Sequence, residues 1–169
     1  FQGCTALENV FLPNGLTTIG SYAFSGCVGL NDMVFPSGLK VVSNNAFNGC
    51  TGLQEMNLPD SVTEIGYRAF YNCSGLTSFR YPKSWATANS QIFTGCTNLT
   101  SISVPEGVTA IPGYAFHDAT SLKTITLPST LNEIGSYAFS GCTMLENPTF
   151  PENLTTVNSY AFSADFFNL

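Results

Sequence analysis

Apolar positions along the chain recur with one long period rather than with the short spacing of an isolated helix or strand. Phe stands at 1, 24, 47, 70, 93, 116, 139 and 162, Pro at 13, 36, 59, 82, 105, 128 and 151, and Leu at 7, 30, 53, 76, 99, 122 and 145, three unbroken columns with a step of 23. Cys occupies 4, 27, 50, 73, 96 and 142, with Ala119 in the missing place, and Ala occupies 23, 46, 69, 115, 138 and 161, with Ile92 as the exception. Within a unit, Leu7, Val10 and Leu12 keep the spacing L-x-x-L-x-L. That spacing predicts a short strand whose alternation turns Val10 and Leu12 inward and Asn9 and Phe11 outward. Pro13, which lacks an N–H for the ladder, ends the strand. Leu16 and Ile19 then return the chain to the core, Gly20 permits a turn, and Ala23-Phe24 with Gly26-Cys27 predict a tight helical turn into the next strand.

A 23-residue unit cannot bury its own apolar face, so it must stack on its neighbours. The predicted fold is therefore a leucine-rich-repeat solenoid: a parallel β-sheet on the concave face, short helical or irregular turns on the convex side, and about seven units. Residues 1–169 read as one domain with repeats beginning at 1, 24, 47, 70, 93, 116 and 139, and 162–169 as a partial unit or cap. The first residues already belong to a repeat, so more repeats are expected before them, or else an uncapped end that packs on another chain. Phe166, Phe167 and Leu169 read as an improvised cap, and Pro148 occupies an inward strand position where it removes a ladder donor.

Units such as FSGCTMLENPTFPENLTTVNSYA (139–161) and FNGCTGLQEMNLPDSVTEIGYRA (47–69) resemble the BspA-like class of bacterial leucine-rich repeats, and the resemblance extends over essentially all of residues 1–162. It implies a secreted or cell-surface protein of the kind implicated in adhesion to host matrix proteins or to other cells.

Composition narrows the partners. Apolar residues make up 44 % of the chain and charged residues only 9 %, against about 25 % in typical soluble domains. With 5 Lys and Arg against 11 Asp and Glu the net charge is −6, which disfavours a phosphate backbone. The 14 Phe and 7 Tyr exclude disorder. Polarity comes instead from 17 Ser, 19 Thr and 15 Asn, so the surface should be rich in hydroxyls and amides and any binding only weakly dependent on salt. No apolar run reaches the roughly 18 to 20 residues of a membrane span.

Chemistry finds little support. The six cysteines share one column, which points to buried thiols acting as small apolar fillers. Disulfides between neighbours such as Cys4 and Cys27 stay geometrically open. One His and no C-x-x-C pair argue against zinc, and no metal or other cofactor is expected. His117 is the sole imidazole and reads as a solvated turn residue beside Asp118. Glu55, Asp60 and Glu64 fall in three different columns, so no carboxylate pair is aimed across a cleft. The chain reads as a non-enzyme.

Binding must then use the variable columns. On the outward side of the strand one column reads Asn9, Asp32, Glu55, Ser78, Ser101, Thr124, Asn147, and the other Phe11, Val34, Asn57, Arg80, Ser103, Thr126, Thr149. The candidate binding residues are Phe11, Asp32, Val34, Glu55, Asn57, Arg80 and Lys83. The Thr and Ser rows of the C-terminal half are equally explained as good strand formers that bond one another. Unit four departs most, with Trp85, Ala88, Asn89 and Ile92 in framework positions. This reads as a repacked core, with Arg80 and Lys83 as a local basic spot beside an aromatic in the functional alternative. The expected function is an adhesin-like protein-interaction scaffold binding a protein ligand, with a carbohydrate-binding module as the alternative. The N-x-[ST] triplets at Asn72, Asn98 and Asn153 carry little weight in so amide- and hydroxyl-rich a chain.

Overall fold

The computed structural model describes residues 1–83, 87–88 and 91–163. Trp85, Asn89, Phe166, Phe167 and Leu169, and the side chain of Ala88, lie outside the described residues. The chain is a parallel β-solenoid. Each of the first six units contributes a three-residue strand, and these form a first sheet in two ladders: β1 (Asn9–Phe11), β3 (Asp32–Val34), β5 (Glu55–Asn57), β7 (Ser78–Arg80), β9 (Ser101–Ser103) and β11 (Thr124–Thr126). β1 pairs with β3, and β5, β7, β9 and β11 pair in sequence, all parallel. Pairing joins equivalent residues of successive units, as in Asn9 to Asp32 and Met56 to Phe79.

A second parallel sheet, which the sequence pattern does not announce, runs beside the first. It consists of two-residue strands: β2 (Thr18–Ile19), β4 (Val41–Val42), β6 (Glu64–Ile65) and β8 (Thr87–Ala88) in one ladder, and β10 (Ala110–Ile111), β12 (Glu133–Ile134) and β13 (Thr156–Val157) in another. Ile19, Val42, Ile65, Ile111 and Ile134 are its inward residues.

Residues 146–150 form no strand, so the first sheet stops one unit before the second. Asn147 takes a positive φ of 37°, outside the extended range of a strand, and Pro148 follows it.

Among the described residues there is no helix, and the expected helical turn is replaced by a string of tight turns. Ala23 N–H donates to Gly20, Ser25 N–H to Tyr22 and Cys27 N–H to Phe24. Two left-handed residues per unit prevent these turns from continuing as a helix: Tyr22 at φ 59° and Gly26 at φ 72° in the first full turn. At Gly52 and Gly75 an added Cβ would collide with the carbonyl oxygens of Val28 and Thr51 in the preceding unit, so successive turns approach too closely there for a side chain.

The core is a set of columns. The eight phenylalanines from Phe1 to Phe162 stack in one continuous pile, with centroids 5.3 to 5.6 Å apart and planes within 12° of parallel. Such ring pairs contribute roughly 0.5 to 1.5 kcal/mol each beyond burial. The cysteine column lies beside them. Cys27, Cys50, Cys73, Cys96 and Cys142 are buried, and each thiol donates to the carbonyl of the phenylalanine 26 residues before it, at 2.9 to 3.2 Å. The same carbonyls also accept a backbone N–H, as Phe47 does from Cys50 at 3.1 Å. All six cysteines are free, Cys4 being exposed, so the column is held by packing and S–H donation rather than by disulfides.

Candidate functional site

The candidate site is the outward face of the first sheet, where alternation puts side chains that the core does not use. Phe11 is 97 % exposed and Val34 80 % exposed, and they are partners in the β1–β3 register. Together with Asn9, Asp32, Phe35 and Pro36 they border a cleft of about 220 Å³. Asp32 and Glu55, one strand apart in the adjoining column, line a second shallow hollow with Asn31 and Gln54. Asp32 keeps one carboxylate oxygen on its neighbour's backbone, accepting the Met33 N–H at 2.8 Å. Asn57 is exposed next in the row. The structure thus brings Phe11, Asp32, Val34, Glu55 and Asn57 onto one contiguous surface.

Arg80 and Lys83 are placed differently. Arg80 donates from Nη1 to the Leu58 carbonyl at 2.9 Å and from Nη2 to Asp60 Oδ2 at 3.0 Å. The Lys83 backbone N–H donates to Asp60 Oδ1 at 3.2 Å. These two donors, the Lys83 N–H first and the Arg80 guanidinium second, hold the Asp60 carboxyl below the usual carboxylate range. The basic spot beside unit four is therefore also a brace between two loops, with its one guanidinium engaged inside the chain.

Beyond Arg80 the face changes character. Ser101, Ser103, Thr124 and Thr126 are exposed, with Thr149 beyond them, and no charge interrupts the array.

No arrangement for nucleophilic catalysis is assembled around His117. Its Nδ1 lies 3.0 Å from the Asp118 carboxylate, in poor alignment for a hydrogen bond, and its ring leans on Tyr114 at 5.6 Å. Burial raises the thiols of Cys50, Cys96 and Cys142 to about 12, which keeps them protonated and unreactive near neutrality. Among the described residues no group of three His, Cys, Asp or Glu could hold a metal ion.

One surface feature escapes the sequence reading. Tyr114, Tyr137 and Tyr160 stack along the turn at 4.8 and 5.0 Å, each in the left-handed region, with Tyr22 in the same column and conformation. In unit three the column holds Arg68, whose guanidinium lies 4.9 Å from the Tyr67 ring centre and 4.6 Å from that of Tyr71. Four tyrosines recurring at the same step were a visible signal. Their left-handed backbone was not, because φ above zero is ordinarily announced by Gly or Asn.

Residues 1–100 and 87–168 match the BspA type leucine rich repeat region, in 6 copies. The chain belongs to that family. The repeat geometry is shared with a leucine-rich repeat protein from Bacteroides ovatus ATCC 8483, at 33 % identity and a TM-score of 0.85 over 93 % of this chain and 40 % of that one. It is shared equally with the T. pallidum leucine rich repeat protein, at 32 % identity and a TM-score of 0.82 over 87 % of this chain and 69 % of that one. A leucine rich cell surface protein from Faecalibacterium prausnitzii A2-165 aligns at 28 % identity with a TM-score of 0.66, over 88 % of this chain and 55 % of that one. The chain thus spans less than half the length of the Bacteroides ovatus protein. No curated protein matches it. Among the described residues no helix is long and apolar enough to cross a membrane.

Proposed function

We propose that this BspA-type solenoid is a non-enzymatic interaction scaffold of the cell surface or of a secreted protein, holding a protein partner on the outward face of its first sheet. The observation that carries the reading is the pair Phe11 and Val34, adjacent in register and 97 % and 80 % exposed on a sheet otherwise covered by polar side chains. Solitary exposed apolar residues are ordinary, whereas a paired apolar shelf beside a cleft marks an interaction site. Its kinship with a protein described as a cell surface protein supports the location. The −6 charge and the mostly neutral face favour a protein over nucleic acid.

The test is capture of matrix proteins and of mucosal glycans by the immobilised chain, in parallel with a Phe11→Ser/Val34→Ser double variant. A protein retained by the parent and lost by the variant, at unchanged melting temperature, is the expected result. Equal retention by both removes the first sheet from the function.

The tyrosine row is the observation that favours a glycan ligand as a second reading. Its rings cover one another's faces, however, and present edges and hydroxyls instead of the open platforms on which sugars stack. The glycan arm of the same capture experiment, repeated with Tyr137→Ser, separates the two readings.

A further inference from the structure

We infer that the partner segment held on the first sheet is a basic, apolar peptide, with its apolar side chain on the Phe11 and Val34 shelf and an adjoining Lys or Arg over Asp32 and Glu55. The inference rests on the first-sheet reading above and adds the chemistry of what is bound there.

The argument begins with a cost. Asp32 and Glu55 occupy equivalent positions of β3 and β5, which belong to separate ladders, and line one hollow, where their like charges repel. Asp60 and Glu106 show how a carboxylate can be partnered within the chain, while Glu8, Glu64, Glu146 and Glu152 are exposed with no side-chain bond among the described residues. Asp60 has the Arg80 guanidinium and the Lys83 N–H. Glu106 accepts the Ser129 N–H at 3.0 Å and the Ser129 hydroxyl at 2.8 Å, which hold its carboxyl below the usual range. Among the described residues no basic side chain pairs with Asp32 or Glu55, since the ion pairs are Arg80 with Asp60 and His117 with Asp118. Arg80, the base on the same outward face, reaches past the end of β5 and is engaged there by the Leu58 carbonyl and Asp60.

The apolar requirement comes from the neighbouring column. Phe11 and Val34 lie two residues along the strand from Asn9 and Asp32, about 7 Å away. A segment with an apolar side chain next to a cation therefore meets both columns at once. An acidic segment would be repelled by the pair of carboxylates and by the net charge of −6. A second copy of this chain would bring the same two carboxylates to the interface, so charge disfavours self-association through this face.

The test is selection of a random displayed ten-residue peptide library on the immobilised chain at low salt, followed by affinity measurement of the enriched peptides by fluorescence polarisation. The expected result is enrichment of peptides with Lys or Arg beside Leu, Ile, Val or Phe. Phe11→Ser should then weaken them about tenfold or more. Asp32→Asn and Glu55→Gln should each weaken them by about two- to fivefold, with a similar loss when salt is raised to 0.3 M. All three positions are exposed, so none of the variants should melt below the parent, and Asp32→Asn and Glu55→Gln, each removing one of two like charges, should melt at or slightly above it.

Enriched peptides that lack a cation but still depend on Phe11 overturn the charge inference and leave the first-sheet reading intact. Enriched peptides indifferent to Phe11→Ser and Val34→Ser overturn both. Absence of any enrichment, or a concentration-dependent dimer in sedimentation that Phe11→Ser abolishes, overturns the peptide assignment.

Discussion

In β5 the central residue, Met56, is 1 % exposed, while Glu55 and Asn57 on either side of it lie in solvent. In β7 the same alternation buries Phe79 and exposes Arg80. The inward members stay apolar from Val10 through Met33, Met56, Phe79 and Ile102 to Ile125, because each must fit the layer above and the layer below. The outward members change from Phe11 to Val34 to Asn57 to Arg80 to Ser103 without regard to the repeat. One strand thus carries two unrelated messages, and the side on which a residue stands decides whether its loss is felt in folding or in binding.

The largest effect that tests this division is on the phenylalanine pile. Phe70→Ala removes a ring stacked on both sides and 0 % exposed, and should cost about 3 to 5 kcal/mol in denaturant unfolding. Phe11→Ser, the same residue type facing outward, should stay within about 0.5 kcal/mol. Comparable losses at the two positions would erase the distinction.

Next in size is an alkaline loss of stability that belongs to the inward side alone. The buried thiols of Cys50, Cys96 and Cys142 titrate at about 12 when folded, against about 8.5 for an unfolded chain. Because the folded values are raised, their contribution is complete below the unfolded value and is lost as pH climbs from there toward 12. Unfolding followed against pH should show this decline, and the Cys50→Ala/Cys96→Ala/Cys142→Ala variant should make it shallower, with the raised Cys27, Cys73 and Tyr81 groups keeping the rest. A decline of equal slope in the variant assigns it to other groups.

Single thiols matter less. Cys73→Ala takes one donor from the Phe47 carbonyl, which keeps the Cys50 N–H, so the expected cost is about 1 kcal/mol. Ala119 already stands in the same column, and its site is fully buried. A loss as large as that of Phe70→Ala would make the thiols principal supports instead of accessories. The smallest effect is on the loop brace: Arg80→Ala should change stability by no more than about 1 kcal/mol, because the Asp60 pair is roughly half exposed. A larger loss in thermal unfolding would place Arg80 with the inward residues despite its outward position.

The columns, and with them the parallel stacking and the first sheet, could be read from the sequence because each unit repeats the same apolar spacing and L-x-x-L-x-L carries its own alternation. The second sheet could not, since a two-residue strand such as Thr18–Ile19 is too short to show a period. Phe11, Val34, Asp32 and Glu55 were legible as outward residues by the same alternation. The engagement of Arg80 was not, because it depends on how far a long side chain reaches toward a carboxylate 20 residues earlier. The cysteines were legible as fillers but not as donors, since the thiol bonds cross from one unit into the unit before.

The register has a consequence for how such a chain changes length. Every described pairing in both sheets joins residues 23 apart, as do the stacked phenylalanines, and the thiol bonds span 26 residues but recur with the same step of 23. Excising or duplicating one whole unit, at any phase of the repeat, therefore reproduces the same neighbours on either side of the join. Length becomes a quantity that recombination between units can alter in whole steps without redesigning the interior, while each exchange lays down a new order of side chains on the outward face.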